Sequence, residues 1–559
     1  VAITGELKKW HKVTLTFDGP EVDEQDEYNP FYNYRLNVHF TNGDKHYKVP
    51  GYFAGDGDAG ETSATGGNKW RVHFAPDQIG EWTYKVSFRK GDQVAIKEAE
   101  NAGSSAGFMD GMNGTFTVAQ SDKSGRDFRA KGRLQYIGEH YLRFAETGEY
   151  FLKAGTDAPE NFLSYADFDG DFHNDGNKDH LVKTWEPHIR DWKEGDPHWQ
   201  NGKGKGMIGA VNYLASEGLN VFSFLTCNIK GDDQNVYPYT SYDVLDRMDV
   251  SKLDQWEVVF EHGQQKGMFL HFKTLEVENQ GLHDGGNLGP QRKLYYRELI
   301  ARFGHHLALN WNLCEENGKW KKRNPTPEQY TPQRIAMTEY FYRNDPYNHH
   351  LVIHNGVPFD DLLGDKSKLT GPSIQTHHAD FHIVHRSVLR WRKLSKAAGK
   401  PWVVCVDEPG DAQHSLLPDE EDPTHDIARQ NALWGAFMAG AAGIEWYFGY
   451  KHPHSDLTCQ DFRSRDLMWD QNRYLLSFFH ENKIPFWEMV PDDELTGRED
   501  DYVFYKNGEV YLFYLKNGGE IAKLNMRAVP GNFEVSWFNP RTGKFADKKI
   551  IRKGHQMFG

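Results

Sequence analysis

Short apolar segments alternate with longer amphipathic segments through the middle of the chain, from about residue 126 to about residue 490. The apolar segments have the length of buried β-strands, and eight of them occur: Tyr150–Ala154, Leu219–Leu225, Met268–Phe272, Leu307–Leu313, Leu351–His354, Ser373–Thr376, Val403–Val406 and Gly443–Phe448. Between them, segments such as Met207–Glu217 and Asp426–Ala439 carry apolar residues at helical spacing. Eight alternating strand and helix units predict a closed, parallel (β/α)8 barrel, the TIM barrel. The alternative, an open doubly wound sheet, is disfavoured because no GxGxxG loop follows the first strand.

Both ends of the chain have a different pattern, in which β-rich segments are separated by Gly- and Asp-rich turns. The first 120 residues predict a β-sandwich of immunoglobulin type. After about residue 497, strands joined at Asn507-Gly508 and at Asn517–Gly519 predict a small antiparallel domain. The predicted organisation is therefore a sandwich at 1–120, a catalytic barrel at 121–495 and a β domain at 496–559.

Acidic residues stand at the ends of two predicted barrel strands. Glu315 and Glu316 follow the fourth strand, and Asp407 and Glu408 follow the seventh. Active sites of TIM barrels lie at the C-terminal ends of the strands, so these carboxylates are expected to share one site. Retaining glycosidases need two carboxyl groups about 5–5.5 Å apart. The alternative for any single acid is a helix cap or an ion pair with a loop arginine.

Further polar and aromatic residues close other predicted strands, where they would suit a sugar site. Imidazole and amide groups hydrogen-bond sugar hydroxyls, and an indole offers a stacking face. The candidates for substrate binding are His271, His354, Asn355, His377, His378 and Trp446, together with Glu315. Each histidine could equally be a satisfied buried group. Zinc ligation is disfavoured because the histidines are scattered and show no HxxxH pairing.

An acid-rich loop, Asp167–Asp179, follows the first predicted strand. Asp171, Asp175 and Asp179 lie at calcium-loop offsets, but Val182 occupies the twelfth position, where a calcium loop has glutamate. We therefore expect a solvated loop at the rim of the site, with a structural calcium as the alternative. No cofactor is expected to be required.

Composition narrows the class of partner. The 559 residues carry a net charge of −15 without a long basic run, which argues against nucleic acid or an anionic membrane as the main partner. Aromatic residues make up 14% of the chain, with 16 tryptophans, and this load indicates either bulky cores or sugar-stacking surfaces. No apolar run approaches the length of a membrane span. The four cysteines lack CxxC spacing and are expected to be buried thiols.

The layout resembles secreted bacterial glycoside hydrolases of the clan A barrel type. These have an N-terminal immunoglobulin-like domain and a C-terminal module of a type named collagen-binding. The resemblance covers nearly the whole chain and is carried by four segments: Lys69–Tyr84, Lys183–Trp192, Leu433–Tyr450 and Trp537–Gly543. The first residue, Val1, fits a mature chain after removal of a signal peptide, or a trimmed one. A secreted or periplasmic location is accordingly expected.

The resemblance also implies roles for the acids. In that clan the acid/base follows strand four and the nucleophile ends strand seven, which implies Glu316 and Glu408. Related barrels carry Trp-x-Leu-Gly-Gly-Asp and Gly-Glu-Pro at these places, similar to the segments that begin at Trp311 and Asp407. The usual clan signature is Asn-Glu, whereas Glu315 precedes Glu316 here, so both remain candidates for the acid/base.

The sequence hypothesis is a retaining glycoside hydrolase acting on a plant or algal wall-type polysaccharide or its oligosaccharides. The alternative is a non-catalytic carbohydrate-binding or adhesion protein on a degenerate barrel. A collagenase is disfavoured, since neither HExxH nor GxSxG occurs. Four arginines near strands three and six are expected on helix surfaces, which favours a neutral or lightly anionic, galactan-type substrate: Arg292, Arg297, Arg386 and Arg390. A homo-oligomer stays open.

Overall fold

The structure is a computed structural model. It describes residues 1–172, 181–319, 324–355, 358–496, 498, 500–516, 522–523, 531–546, 548–551 and 557–558. Within these ranges none of the helices combines the length and the apolar composition needed to cross a bilayer.

Two antiparallel sheets form the N-terminal part, as predicted. The first sheet has the order β1-β2-β6-β5, and in the second β3 lies between β4 and β7, which also pairs with β8 and β9. Alternate residues of the long strands are buried between the sheets, as the period-two pattern requires. The elements are β1 Ala2–Thr4, β2 Val13–Asp23, α1 Pro30–Asn33, β3 Tyr34–Asn42, β4 Lys45–Pro50, β5 Tyr52–Phe53, α2 Ala59–Thr62, β6 Gly66–Phe74, β7 Gly80–Lys90, β8 Ser104–Ser105 and β9 Asn113–Val118.

A closed barrel of eight parallel strands occupies the middle of the chain, which confirms the predicted fold class. A short helix and hairpin lead into it: α3 Phe128–Lys131, β10 Leu134–Gln135 and β11 Arg143–Phe144. The barrel strands are β12 Lys153–Asp157, β13 Val221–Leu225, β14 Phe269–Lys273, β15 Leu309–Asn312, β16 His350–His354, β17 Gly371–Gln375, β18 Cys405–Glu408 and β19 Gly443–Tyr447. The main helices around them are α4 Lys205–Ser216, α5 Val250–Gln265, α6 Pro290–Phe303, α7 Thr331–Asn344, α8 Val384–Ala397, α9 Gly435–Met438 and α10 Asp466–Glu481.

Three details depart from the predicted barrel. β12 begins three residues later than the predicted first strand and includes Gly155, which looks like a strand breaker in sequence. Glycine is required there because a Cβ on Gly155 would lie 2.1 Å from the carbonyl oxygen of Val221. Between β16 and β17 the described residues form two 3-10 turns in place of an α-helix. The predicted helix at Asp426–Ala439 has a π-helical middle, Ala428–Trp434.

The seventh strand ends in acids that belong to the strand itself. Asp407 and Glu408 are its last two residues, whereas the sequence pattern ended the strand at Val406. The register of β17 against β18 shifts by one residue after Ile374, so that Gln375 faces Glu408 across the two strands. Such irregularities re-aim side chains next to active sites.

Antiparallel strands follow the barrel and pack on its last helix. In the part of the C-terminal region that the structure describes, these are β20 Val490–Pro491, β21 Tyr502–Lys506, β22 Val510–Tyr514, β23 Ala522–Lys523, β24 Phe533–Val535, β25 Phe538–Asn539, β26 Lys544–Phe545, β27 Lys549–Ile551 and β28 Met557–Phe558. The ring of Phe538 lies 4.7 Å from that of Phe478 on α10. The hairpin predicted at Asn517–Gly519 lies outside the described residues.

Candidate active site

Two glutamates from different strand ends meet one glutamine at the C-terminal mouth of the barrel. The amide nitrogen Nε2 of Gln375 donates to Glu316 Oε1 at 2.5 Å and to Glu408 Oε1 at 2.9 Å. Because the same nitrogen contacts both oxygens, the distance between the two oxygens is at most the sum of these two distances. That limit falls within the spacing of about 5–5.5 Å found in retaining glycosidases.

Gln375 is itself held by Asn355, the residue that directly follows β16. The side chain of Asn355 accepts from the backbone nitrogen of Gln375 at 2.8 Å and donates to its carbonyl oxygen at 3.4 Å. Asn355 thus pairs with the backbone of β17 and orients the residue that bridges the two glutamates. It was predicted to bind substrate, but its described contacts give it a positioning role.

The adjacent Glu315 and Glu316 point in different directions. Glu315 is buried and accepts from Lys273 Nζ at 2.6 Å, inside the barrel. Glu316 is partly exposed and faces Gln375. Its φ of +47° lies in the left-handed region, which glutamate rarely adopts, and such backbone strain is concentrated at functional sites. The geometry therefore separates two acids that the sequence left equivalent.

Glu408 has a more enclosed environment than Glu316. It is 5% exposed, and its Oε2 lies 3.1 Å from Nε2 of His354. Burial, followed by the charge of Lys273, lowers the pKa of His354 to about 4, so this imidazole is neutral near pH 7. A neutral ring at this distance places no positive charge beside Glu408.

The electrostatics of the pair favour one shared proton. Burial, and next the charge of Glu408, raises the pKa of Glu316 to about 8. Burial, and next the charge of Glu315, raises the pKa of Glu408 to about 8, while Lys273 and Gln375 act against it. Since the two carboxyl groups interact, they titrate as a unit. Lys273 favours the ionised form of Glu408.

Below the mouth, the barrel interior holds a buried ionic network that sequence reasoning missed. Lys153 Nζ binds Asp407 Oδ1 at 2.9 Å and also Glu445, while Lys273 Nζ binds Asp157 Oδ1 at 2.7 Å. TIM-barrel interiors are usually filled by branched apolar side chains. The signal available in sequence was a charged residue inside an otherwise apolar strand segment at each of these positions.

The comparisons with known proteins agree with this architecture. Residues 6–89 match a sequence family described as a domain of unknown function, DUF5060, and residues 484–559 match the “Putative collagen-binding domain of a collagenase”. No curated protein sequence matches the chain. Among solved structures, a “putative glycoside hydrolase” from Bacteroides vulgatus is 18% identical, with a TM-score of 0.58 over 95% of this chain and 86% of that one.

A second solved structure, a glycoside hydrolase family 5 protein from Bacteroides vulgatus, is 14% identical and has a TM-score of 0.54. That alignment covers 78% of this chain and 91% of the other. The chain has the fold of a barrel glycoside hydrolase. At these identities the likeness establishes the glycoside hydrolase fold and leaves the activity to be argued from the site.

The remaining predicted substrate residues of this glycoside hydrolase barrel lie in different places. His377 and His378 are exposed in the loop after β17, beside the mouth. His271 is fully buried in the interior, where Nδ1 lies 2.9 Å from the Glu445 carboxylate and Nε2 lies 3.0 Å from Asn312 Nδ2. It therefore belongs to the ionic network below the mouth.

Trp446 is a correction to the sequence analysis. It is fully buried on the helix-facing side of β19, and its indole nitrogen donates to Asn472 of α10 at 3.1 Å. Alternate residues of a strand point to opposite sides, and the interior side of β19 is taken by Glu445. A stacking platform for sugar at Trp446 is therefore wrong. Arg292, expected on a helix surface, is also buried and donates to the carbonyl oxygen of Gln280 at 2.7 Å.

Two groups of side chains inside the barrel could in principle hold a metal ion, but a lysine contacts each group. His271, Asp407 and Glu445 lie close enough to hold an ion, as do Glu315, His354 and Glu408. Lys153 binds two members of the first group, and Lys273 binds Glu315 of the second, so an ammonium supplies the positive charge. In the loop with the predicted calcium alternative, the backbone oxygen of Asp171 accepts a hydrogen bond from the Tyr237 hydroxyl at 2.9 Å. Asp175 and Asp179 lie outside the described residues.

Proposed function

We propose that this protein is a retaining glycoside hydrolase. The observation that carries the proposal is the Gln375 amide bridging Glu316 and Glu408 at the C-terminal mouth of a closed eight-stranded barrel. Two carboxyl groups at this spacing leave no room for a water between nucleophile and sugar, which favours double displacement over direct attack by water.

In the proposed first step, the Glu408 carboxylate attacks the anomeric carbon while Glu316 gives its proton to the departing glycosidic oxygen. In the second step, Glu316 takes a proton from water, and the resulting hydroxide displaces Glu408 from the sugar. The raised pKa of Glu316 suits it to hold a proton near neutral pH. Lys273 supplies the opposing charge that favours an ionised Glu408.

The substrate follows from the resemblance rather than from the site. We infer a plant or algal wall-type polysaccharide or its oligosaccharides, cleaved in the periplasm or outside a bacterial cell. The non-catalytic alternative is disfavoured because a degenerate barrel has no need to keep both glutamates and a shared amide donor in register.

The proposal is tested by chemical rescue with azide on a panel of aryl glycosides and oligosaccharides. Glu316→Ala should lose about 10²- to 10⁴-fold in rate and form a glycosyl azide of retained configuration. Glu408→Ala should form one of inverted configuration, because azide then attacks from the vacated side. The exposed Glu481→Ala on α10 is the matched control. If Glu315→Ala is rescued in place of Glu316→Ala, the acid assignment is wrong.

Near wild-type rates in both Glu316→Ala and Glu408→Ala would refute the mechanism altogether. A wild-type protein that binds glycans from the same panel without releasing reducing ends would instead support the carbohydrate-binding alternative.

A further inference from the structure

A cleft lies outside the barrel, at the joint between the N-terminal sandwich and the helices α6 and α7. We call it the joint cleft. Its volume is about 360 Å³, within the range of about 300–1,000 Å³ that is usual for small-molecule sites. The sandwich lines it with residues of β3, β4 and the segment 95–98, and the barrel with residues from the C-terminal halves of α6 and α7. Barrel helices run opposite to their strands, so these helix ends lie toward the face away from the proposed catalytic glutamates.

The lining of the joint cleft is basic, although the whole chain carries a net charge of −15. Its lysines and arginines are Arg35, Lys48, Lys97, Arg297 and Arg343. Glu98 is the one acidic residue among the described residues of the lining. Two of the basic side chains have carboxylate partners: Lys48 binds Glu100, and Arg343 Nε lies 3.4 Å from Glu339. The cleft therefore keeps an excess of positive charge on a protein that is acidic overall.

Two of the guanidinium groups are held by neutral oxygens. Arg35 donates to the backbone oxygens of Lys97 at 2.6 Å and Glu100 at 2.7 Å. Arg297 donates through Nη2 to the backbone oxygen of Leu36 at 2.8 Å. Within the part of the chain that the structure describes, neither guanidinium forms an ion pair with a carboxylate. Carbonyl oxygens satisfy the hydrogen bonds but leave the positive charge of each group uncompensated.

An anion in the joint cleft would compensate both arginines. Arg35 is 3% exposed, its Nε has no hydrogen-bond partner, and arginines are almost never so buried unless an opposite charge pairs with them. Arg297 is partly exposed, and toward the described residues it donates through Nη2, so Nε and Nη1 retain N–H donors for a ligand. Burial lowers the pKa of both groups, but a guanidinium stays ionised in proteins. Its N–H groups match carboxylates and sulfates.

The rest of the lining suits a saccharide as the carrier of that anion. Tyr47 and Tyr340 line the cleft, and their hydroxyls donate to Asp77 at 2.8 Å and to the backbone oxygen of Lys293 at 2.9 Å. Each ring is held in place by this bond, and aromatic rings pack against the apolar C–H faces of sugars. The amide of Asn344 adds hydrogen-bonding groups for sugar hydroxyls.

We propose that the joint cleft is a non-catalytic saccharide site that takes an acidic sugar, one that carries a uronate carboxylate or a sulfate ester. Arg297 donates to the acid group, while Arg35, Lys97 and Arg343 supply further positive charge. The anion site goes beyond the proposed hydrolase function, and only the choice of a saccharide as its ligand rests on that function. A polysaccharide with occasional acidic sugars is thereby retained on the enzyme without an acidic sugar at the catalytic glutamates.

The first arm of the test measures binding without turnover. Titration calorimetry on protein that carries Glu408→Ala compares a uronic acid disaccharide with its neutral counterpart. We expect the acidic disaccharide to bind about 10-fold more tightly, with a preference that shrinks as salt is added. Arg297→Gln should lower its affinity about 10- to 100-fold, whereas the exposed Arg190→Gln, the matched control, should not change it. Equal affinity for the two disaccharides, or unchanged affinity in Arg297→Gln, overturns the inference.

Arg297→Gln also removes the hydrogen bond to Leu36, so a double variant at the rim keeps the joint intact. Lys97→Gln with Arg343→Gln changes two exposed side chains and should lower the affinity for the acidic disaccharide about 10-fold, with an unchanged unfolding midpoint. In the Glu408 form, the same double variant should hydrolyse a neutral substrate at the wild-type rate, because the cleft is remote from the barrel mouth. Unchanged affinity overturns the inference, and lost hydrolysis overturns the cleft as a separate site.

Inorganic sulfate is the competing occupant and has its own readout. Sulfate that binds as tightly as the acidic disaccharide and is lost in Arg297→Gln would show a site for a small ion only, which overturns the saccharide. Tighter binding of the disaccharide supports it. If wild type cleaves no glycan, the proposed function fails while the binding arm still decides the anion site. If binding fails while glycans are cleaved, the hydrolase function stands without the cleft.

Discussion

Gln375 shows how much of this site the sequence leaves hidden at the scale of single residues. Glu316 and Glu408 could be predicted because acids that directly follow buried apolar segments are rare without a purpose. Gln375 is an ordinary polar residue near the end of the short predicted strand Ser373–Thr376 and carries no such signal. Its contact with both glutamates depends on the register shift between β17 and β18, which only the three-dimensional structure reveals.

The bridging amide leads to a prediction about pH dependence. Gln375 donates to both carboxylates and so stabilises their ionised forms, which lowers the pKa of each. Gln375→Ala removes these donors, and both pKa values rise. The limb of the pH–rate profile that requires an ionised Glu408 and the limb that requires a protonated Glu316 should therefore both move to higher pH. We expect kcat to fall about 10-fold.

The measurement is a pH profile of kcat/KM for Gln375→Ala beside the exposed Gln25→Ala, which should match wild type. A lower rate with an unmoved profile would mean that Gln375 acts through shape alone. A profile displaced to lower pH would contradict the assigned hydrogen bonds.

At the scale of elements, the eight strands were predictable because each is a short apolar run between helical segments. What the strands place inside the barrel was not predictable. Lys153 stands in a strand segment with aromatic neighbours, and a lone lysine there usually indicates a solvent-facing side. Its partners, Asp407 and Glu445, lie more than 250 residues away, and only barrel closure brings them together. Trp446 was misassigned for the same reason, since sequence alone does not say which side of β19 faces inward.

The interior network leads to a prediction about stability. Lys153→Met leaves Asp407 and Glu445 buried without their ammonium partner, and breaking a buried ion pair in this way costs about 3–5 kcal/mol. The control is Lys131→Met, since Lys131 forms a more exposed pair with Glu149 at 2.7 Å and should cost at most about 1 kcal/mol. Denaturant unfolding followed by tryptophan fluorescence measures both. Equal stability of the two variants would show that the network contributes little.

At the scale of the whole molecule, the pattern of apolar and polar positions predicted three parts but did not predict the contacts between them. The aromatic load had two interpretations, and packing accounts for most of it. Of the 15 tryptophans that the structure describes, twelve are buried: Trp10, Trp70, Trp82, Trp185, Trp199, Trp256, Trp311, Trp391, Trp402, Trp434, Trp446 and Trp469. The four cysteines are buried free thiols, as predicted. Polar contacts that the local sequence pattern does not predict join the sandwich to the barrel. One is the hydrogen bond from Arg297 to the backbone oxygen of Leu36, at 2.8 Å.

One such contact joins the sandwich to α5 through a single lysine. Lys12 Nζ lies 2.7 Å from Glu257 and 3.7 Å from Glu261, and the same glutamates contact His305 and His306. The two glutamates and two histidines also lie close enough together to hold a metal ion. The Lys12 ammonium supplies positive charge to this group instead. Burial lowers the pKa of His305 to about 4; the charge of Glu257 opposes this shift, and the charge of Lys12 contributes to it.

Replacing Lys12 should make the joint between sandwich and barrel sensitive to pH. Without the ammonium, the pKa of His305 rises, so folded Lys12→Met holds a proton over a pH range in which folded wild type does not. Extra protons bound by the folded state stabilise it at low pH, and this gain is lost as pH rises through the new pKa. The destabilisation of Lys12→Met should therefore be about 2 kcal/mol at pH 8 and smaller at pH 5. Denaturant unfolding at pH 5 and pH 8 measures this loss of stability, with Lys45→Met as the surface control. A loss that is equal at both pH values, or larger at pH 5, would exclude proton uptake at this joint.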